Sequence, residues 1–136
     1  MKTENGKRKM GNGKMKTENG NILAEKTVDF AVRIVKFYKY LCDEKKEYVL
    51  SKQILRSGTS IGANVRESKN AQSRADFVSK LNIALKEADE TEYWLEVMLK
   101  SDLVKENQIE KLVANLKEII AILVSSIKTM KMKTEK

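Results

Sequence analysis

The chain has no histidine and no proline, and its only cysteine is Cys42. Each absence removes a class of chemistry. Without histidine there is no Ser-His-Asp triad, no imidazole general base and no imidazole metal ligand. One thiol makes neither an internal disulfide nor a thiolate zinc cage. There is no run of about 18 apolar residues, so no membrane span and no membrane partner are expected. The first residues are polar and basic with no apolar h-region, so no secretory leader is expected. With 136 residues the chain has the size of one domain. These features together predict a cytoplasmic all-α protein. They suggest no cofactor, no metal and no small-molecule substrate.

Charge is plentiful but unevenly placed. The formal net charge is +8. Residues 1–20 contribute +4 and residues 128–136 contribute +3, which leaves +1 for residues 21–127. The two ends are rich in Lys, Gly, Asn and Thr and poor in large apolar groups. Such segments bury too little surface to offset the entropy of ordering, so disordered basic tails are expected over 1–20 and 128–136. Tails of this kind can hold a phosphate backbone through counterion release, or serve only as solvated ends. The N-terminal tail repeats itself, since Met1-Lys-Thr-Glu-Asn-Gly6 recurs as Met15-Lys-Thr-Glu-Asn-Gly20. That suggests a duplicated leader or a start at Met15.

Between the tails, hydrophobic periodicity predicts four helices over 21–127. In the first, Leu23 to Leu41, the stripe is Phe30, Ile34, Phe37 and Leu41, widened by Val28, Val32 and Val35. The second runs from about Tyr48 to Ala71, with Ser51 as a candidate cap and Leu50, Ile54, Ser57, Ile61, Val65 and Ser68 facing inward. Its centre, Ser57-Gly-Thr-Ser-Ile-Gly-Ala-Asn64, is unusual, because each glycine costs about 1 kcal/mol of helix propensity relative to alanine. Gly58 and Gly62 share a face, so close approach by a neighbouring backbone would compensate. A chain break at Gly58 is the alternative. A phosphate-cradling loop is disfavoured, because no Gly-Lys-Ser/Thr follows and no strand precedes.

The third segment, Ser73 to Lys100, opens on an approximate capping box of Ser73 and Asp76. Its seam is Phe77, Leu81, Ala84, Ala88, Thr91, Leu95 and Met98. Tyr93 and Val97 each lie 200° from Leu95, so this helix has a second apolar face. The fourth, Asn107 to Lys128, carries Ile109, Leu112, Leu116, Ile119 and Leu123. Short links between long helices predict an antiparallel up-down-up-down four-helix bundle. Its apolar stripes are wider than one bundle interior needs, which predicts a homo-oligomer with Tyr93, Trp94 and Val97 as contacts. In the other reading Trp94 caps the bundle core.

Two polar constellations stand out. Lys52, Arg56, Arg66, Lys69 and Arg74 form a basic set that could meet a nucleic-acid backbone or simply be solvated. Glu87, Asp89, Glu90, Glu92 and Glu96 crowd the third helix. A carboxylate metal site is conceivable there, but di-iron bundles pair Glu with Glu-x-x-His, and this chain has no histidine. If the second and third helices pack together, Arg56 or Arg66 can instead meet Glu87, Glu90 or Glu92, fixing register. Cys42, with no histidine beside it, reads as a half-buried structural thiol.

Four runs carry a resemblance: Phe30-x-x-Arg33-Ile-Val-Lys36, Gln53-Ile-Leu-Arg-Ser-Gly-Thr-Ser-Ile-Gly-Ala-Asn-Val-Arg-Glu67, Phe77-Val-Ser-Lys-Leu81 and Ala84-Leu-Lys-Glu-Ala-Asp-Glu-Thr-Glu-Tyr-Trp-Leu95. Over about residues 22–127 the chain resembles the four helix bundle protein family, first met as reading frames inside intervening sequences of bacterial 23S ribosomal RNA genes. The resemblance implies an antiparallel bundle that assembles into a ring, a pentamer, with no established enzymatic activity. By fold analogy to accessory proteins of diversity-generating retroelements, it also implies nucleic acid or a reverse transcriptase as partner. It supplies no catalytic residues. The motif residues Arg56, Asn64, Glu67, Glu87, Glu90 and Glu92 are read as packing and helix-to-helix polar contacts.

Overall fold

The structure, a computed structural model, describes residues 18–135. Four helices account for nearly all of them: α1 (Glu18–Asp43), α2 (Leu50–Ser68), α3 (Arg74–Lys100) and α4 (Glu106–Glu135). Among the described residues there is no strand. Each helix packs on its neighbours in sequence and α4 closes back onto α1, while the backbones of the diagonal pairs α1–α3 and α2–α4 stand farther apart. That is the predicted up-down-up-down bundle. The core lies on its axis, where Phe30, Ile34, Leu41, Ile54, Ile61, Leu81, Leu95, Met98, Leu116, Ile119 and Leu123 are fully buried. Each large apolar side chain placed there contributes about 1.5–3 kcal/mol.

Helix α2 runs unbroken through Gly58 and Gly62. The predicted close approach is made by α1. A Cβ on Gly58 would stand 2.8 Å from Ile34 Cγ1, and one on Gly62 would stand 3.2 Å from the Cβ of Thr27. The glycines are there because another helix occupies the space their side chains would need. Thr27, fully buried, satisfies its hydroxyl on the Leu23 carbonyl at 2.9 Å.

The helix starts show which caps operate. Ser73 Oγ accepts from the Asp76 N–H at 3.0 Å, as expected. The Asp76 carboxylate reaches back to the N–H of Gln72 at 3.2 Å, one residue beyond a standard capping box. Ser51 does not cap α2. It is buried inside the helix, and the cap is Glu47, whose carboxylate accepts from the N–H groups of Val49, Leu50 and Ser51 at 3.1, 2.9 and 2.8 Å.

Two boundaries differ from the sequence reading. Helix α1 begins at Glu18, and α4 continues through residues 128–135, a stretch read from composition as a disordered tail. Lys and Met are good helix formers, and the cations Lys131 and Lys133 suit the negative end of the helix dipole. The disorder expected of residues 1–17 lies outside the described residues. The reversals before α2 and before α4 each hold one non-glycine residue at positive φ, Lys46 at 56° and Asp102 at 63°.

Candidate interaction surfaces

The α2–α3 seam holds most of the polar residues singled out from the sequence. At its centre Ser57 and Thr91, both fully buried, share a hydrogen bond of 2.9 Å between their hydroxyls. Outside that pair, Arg56 Nη2 meets Glu90 Oε2 at 2.7 Å, and Arg56 Nη1 stands 4.0 Å from Glu87 Oε1. The indole N–H of Trp94 donates to the same Glu90 oxygen at 3.4 Å. Glu67 reaches Lys80 across the same interface at 3.3 Å. Arg56 and Glu67 of α2 thus stand against Glu87, Glu90 and Lys80 of α3. Glu87 Oε1 is buried and makes no hydrogen bond, so Arg56 is its nearest compensation.

Two residues depart from the expected interhelical placement. Asn64 does not cross between helices: its Nδ2 donates to the carbonyl of Ser60 at 2.9 Å, one turn back on α2. Glu92 is exposed and lies 200° round α3 from Glu90, so it cannot share the α2 seam.

The basic set is dispersed. Lys52 and Arg66 are exposed on α2, about 21 Å apart along the axis at 1.5 Å per residue. Arg56 is engaged by Glu90. Lys69 forms the C-cap of α2 and Arg74 opens α3. The five cations therefore do not form one continuous stripe. Composition hid another basic stretch, because its members lie on two helices. Arg33 and Lys36 of α1 and Lys111 of α4, with Glu110 as the one acid among them, line a cleft of about 340 Å³. At its edge the Gln108 amide donates to the Tyr40 hydroxyl at 2.7 Å. Farther along the same α1–α4 flank, Lys26 pairs with Glu118 at 3.5 Å.

Exposed apolar side chains lie on α1, α3 and α4 and just before α2, where Val49 is 70% exposed. On α3, Tyr93 is 57% exposed, and its ring meets Trp94 edge-on with centroids 5.0 Å apart. Trp94 and Val97 are half-buried. On α1, Val28, Val32 and Val35 do not widen the inward stripe as their apolar character suggests. They are instead exposed, at 46%, 49% and 37%. Their angular position gives the signal: Val32 lies 160° round the helix from Ile34, away from the core. Cys42 is half-buried, with its sulfur 3.8 Å from Ser51 Oγ. Tyr38, one turn before it, keeps its proton above the usual tyrosine range because it hydrogen-bonds to Cys42.

Among the described residues no three carboxylate or thiol side chains gather into a possible metal site. Among them, too, no helix is long and apolar enough to cross a membrane. A family model described as 23S rRNA-intervening sequence protein matches residues 20–125. The chain belongs to that family. Among solved structures it is similar to a protein of unknown function from the S23 ribosomal protein family of Bacteroides thetaiotaomicron VPI-5482. The two share 56% identity over 81% of this chain and 98% of the other, with a TM-score of 0.79. No curated protein matches the chain. The family match covers α2 and α3 whole and most of α1 and α4, including both the Gly58–Gly62 crossing and the α2–α3 polar seam.

Proposed function

We propose that this 23S rRNA-intervening sequence protein is a non-enzymatic, cytoplasmic homo-oligomer that holds structured RNA or another nucleic acid. The carrying observation is the uncovered apolar surface on two separate helices, Val28 and Val32 on α1 and Tyr93 on α3. Large apolar patches on a single copy mark surfaces meant for contact. A ring of five, as the resemblance implies, is one assembly that covers them. The nucleic-acid part is supported by the excess of 27 basic over 19 acidic residues. Exposed cations on α2 and along the α1–α4 flank add to the charge near the chain ends.

Light scattering of the purified protein, with and without total bacterial RNA, tests both parts together. The expected result is a discrete oligomer that gains mass with RNA at low salt and loses it as salt rises, since phosphate contacts are screened. A monomer that ignores RNA overturns the proposal.

The second reading is a protein-interaction scaffold without nucleic-acid contact. It is favoured by the engagement of Arg56 with Glu90, which removes a central cation from the α2 surface. A full chain that shows no RNA affinity at low salt, yet captures one defined protein, decides for the scaffold.

A further inference from the structure

Helices α1 and α3 begin, and α2 and α4 finish, at the same end of the bundle. Three separate stretches of sequence therefore meet there: the start of α1, the α2–α3 link and the last turns of α4. The Lys26–Glu118 pair sets the level. Glu18, eight residues before Lys26, is level with Ser126, eight residues after Glu118, because both helices rise about 1.5 Å per residue. From that level α4 runs on to Glu135, about 13 Å farther.

This end is basic. Arg66 lies in the last turn of α2, Lys69 is its C-cap, and Arg74 opens α3. Lys128, Lys131 and Lys133 follow one another along the end of α4. All six are exposed. Of the acids nearby, Glu67 is paired with Lys80, and Asp76 is turned onto the N–H of Gln72. Residues 1–17 carry six cations and one acid, and they join the bundle here, through Glu18. The opposite end has no such excess: its two reversals, residues 43–49 and 101–105, hold four acids and three cations.

In the sequence the two basic ends are more than a hundred residues apart. An even number of antiparallel helices brings them together. They also lie outside the part of the chain that matches the family: residues 1–19 and 126–136 carry +4 and +3 of the formal +8. Charge gathered at one end of a subunit steers a polyanion to that end. Among the described residues no exposed aromatic ring lies beside these cations, so phosphates are met there and bases are not stacked. Past Ser126 the one exposed large apolar side chain among the described residues is Met132, which leaves little to sink into a lipid surface.

We propose that a nucleic-acid phosphate backbone docks on this end of the bundle, held by Arg66, Arg74, Lys128, Lys131 and Lys133, with residues 1–17 adding charge at the same place. This rests on the nucleic-acid reading above and gives it a location away from the α1–α4 cleft. Recognition of this kind is indifferent to base sequence.

The test is fluorescence anisotropy of a labelled RNA duplex of mixed sequence with the full chain. Lys128→Gln/Lys131→Gln/Lys133→Gln removes three charges from the docking end. Arg33→Gln/Lys36→Gln/Lys111→Gln removes three from the α1–α4 cleft. Glutamine keeps the helix propensity of these positions, and circular dichroism checks each fold. At about 100 mM salt the first variant is expected to bind about 10-fold more weakly or worse, and the slope of log affinity against log salt to fall by about 2–3. The cleft variant is expected to stay within about threefold of the wild-type chain. Equal weakening by both variants reports net charge alone and overturns the location, as does an unchanged first variant; the nucleic-acid reading survives either result. A wild-type chain that ignores RNA at low salt, including one that binds phosphatidylserine vesicles instead, overturns both.

A second measurement reads position without altering charge. Thr129→Cys and Tyr48→Cys, both at exposed sites, are each made in a Cys42→Ser background and labelled with a benzophenone maleimide. Photo-cross-links to the RNA are expected from position 129 and not from position 48. Any result in which position 129 links no better than position 48 overturns the location.

Discussion

Gly58 of α2 and Ile34 of α1 share one volume: a Cβ on the glycine would fall 2.8 Å from Ile34 Cγ1. Ile34 is fully buried and has no open space to move into. Gly58→Ala therefore forces the two helices apart or Ile34 off its rotamer, at about 1–3 kcal/mol. The better helix propensity of alanine returns up to about 1 kcal/mol. A net loss of stability is expected, measured as a lower urea midpoint. An unchanged or raised midpoint refutes the tight crossing.

The buried hydroxyl pair of Ser57 and Thr91 predicts non-additivity. Thr91→Val removes one partner and strands the other, at about 1–3 kcal/mol. Adding Ser57→Ala removes the stranded group, so the double variant is expected to lose less than the sum of the two single changes. A double-mutant cycle by chemical denaturation measures this coupling. Strict additivity counts against the bond.

Glu47 predicts an acid-sensitive helix start. Burial raises the pKa of its carboxyl, but hydrogen bonds from the N–H groups of Leu50, Ser51 and Val49, joined by the Ser51 hydroxyl, outweigh it and hold the pKa below the usual glutamate value. A folded-state pKa below the unfolded one stabilises above the unfolded value, about 4.3. The gain is lost as pH falls through the lower folded value. The difference in stability between the wild-type chain and Glu47→Gln is expected to shrink as pH drops from 6 to about 3. A difference independent of pH rules out the carboxylate cap.

Arg56 and Glu87 predict an asymmetric response. The Arg56–Glu90 pair is half-exposed, with the arginine open to water, and is worth about 1 kcal/mol. Removing Arg56 also leaves Glu87 Oε1 buried with no cation near it. Arg56→Ala is therefore expected to cost more than Glu90→Ala, and Glu87→Gln is expected to recover part of the loss in the Arg56→Ala background. Equal losses for the two alanine variants, compared by thermal melts, contradict this account.

Much of the fold is legible in single residues at fixed spacing. In the seam of Phe77, Leu81, Ala84, Ala88, Thr91, Leu95 and Met98, every member is buried except Phe77, which is half-buried. Small residues at Gly58 and Gly62 announced a close crossing, though not that α1 makes it. The misread positions share a cause. Val28, Val32 and Val35 are apolar, and a wide apolar stripe looks alike whether it faces the core or a neighbour. Asn64 and Ser51 are polar, and periodicity cannot tell a side chain that bonds its own helix from one that crosses or caps. The end of α4 was missed because lysines that look like a tail by composition are also good helix formers.

By itself the sequence determined that there are four helices, the centre line of each buried stripe and which charges are available. Periodicity and capping are local, so they can be read residue by residue. Only the tertiary structure decided which helix fills the gap over Gly58, that Arg56 is held by Glu90 and that α1 and α3 carry their uncovered apolar faces on opposite corners. Those outcomes depend on which helices become neighbours and at what height. That is settled when side chains from distant parts of the chain compete for one packed volume.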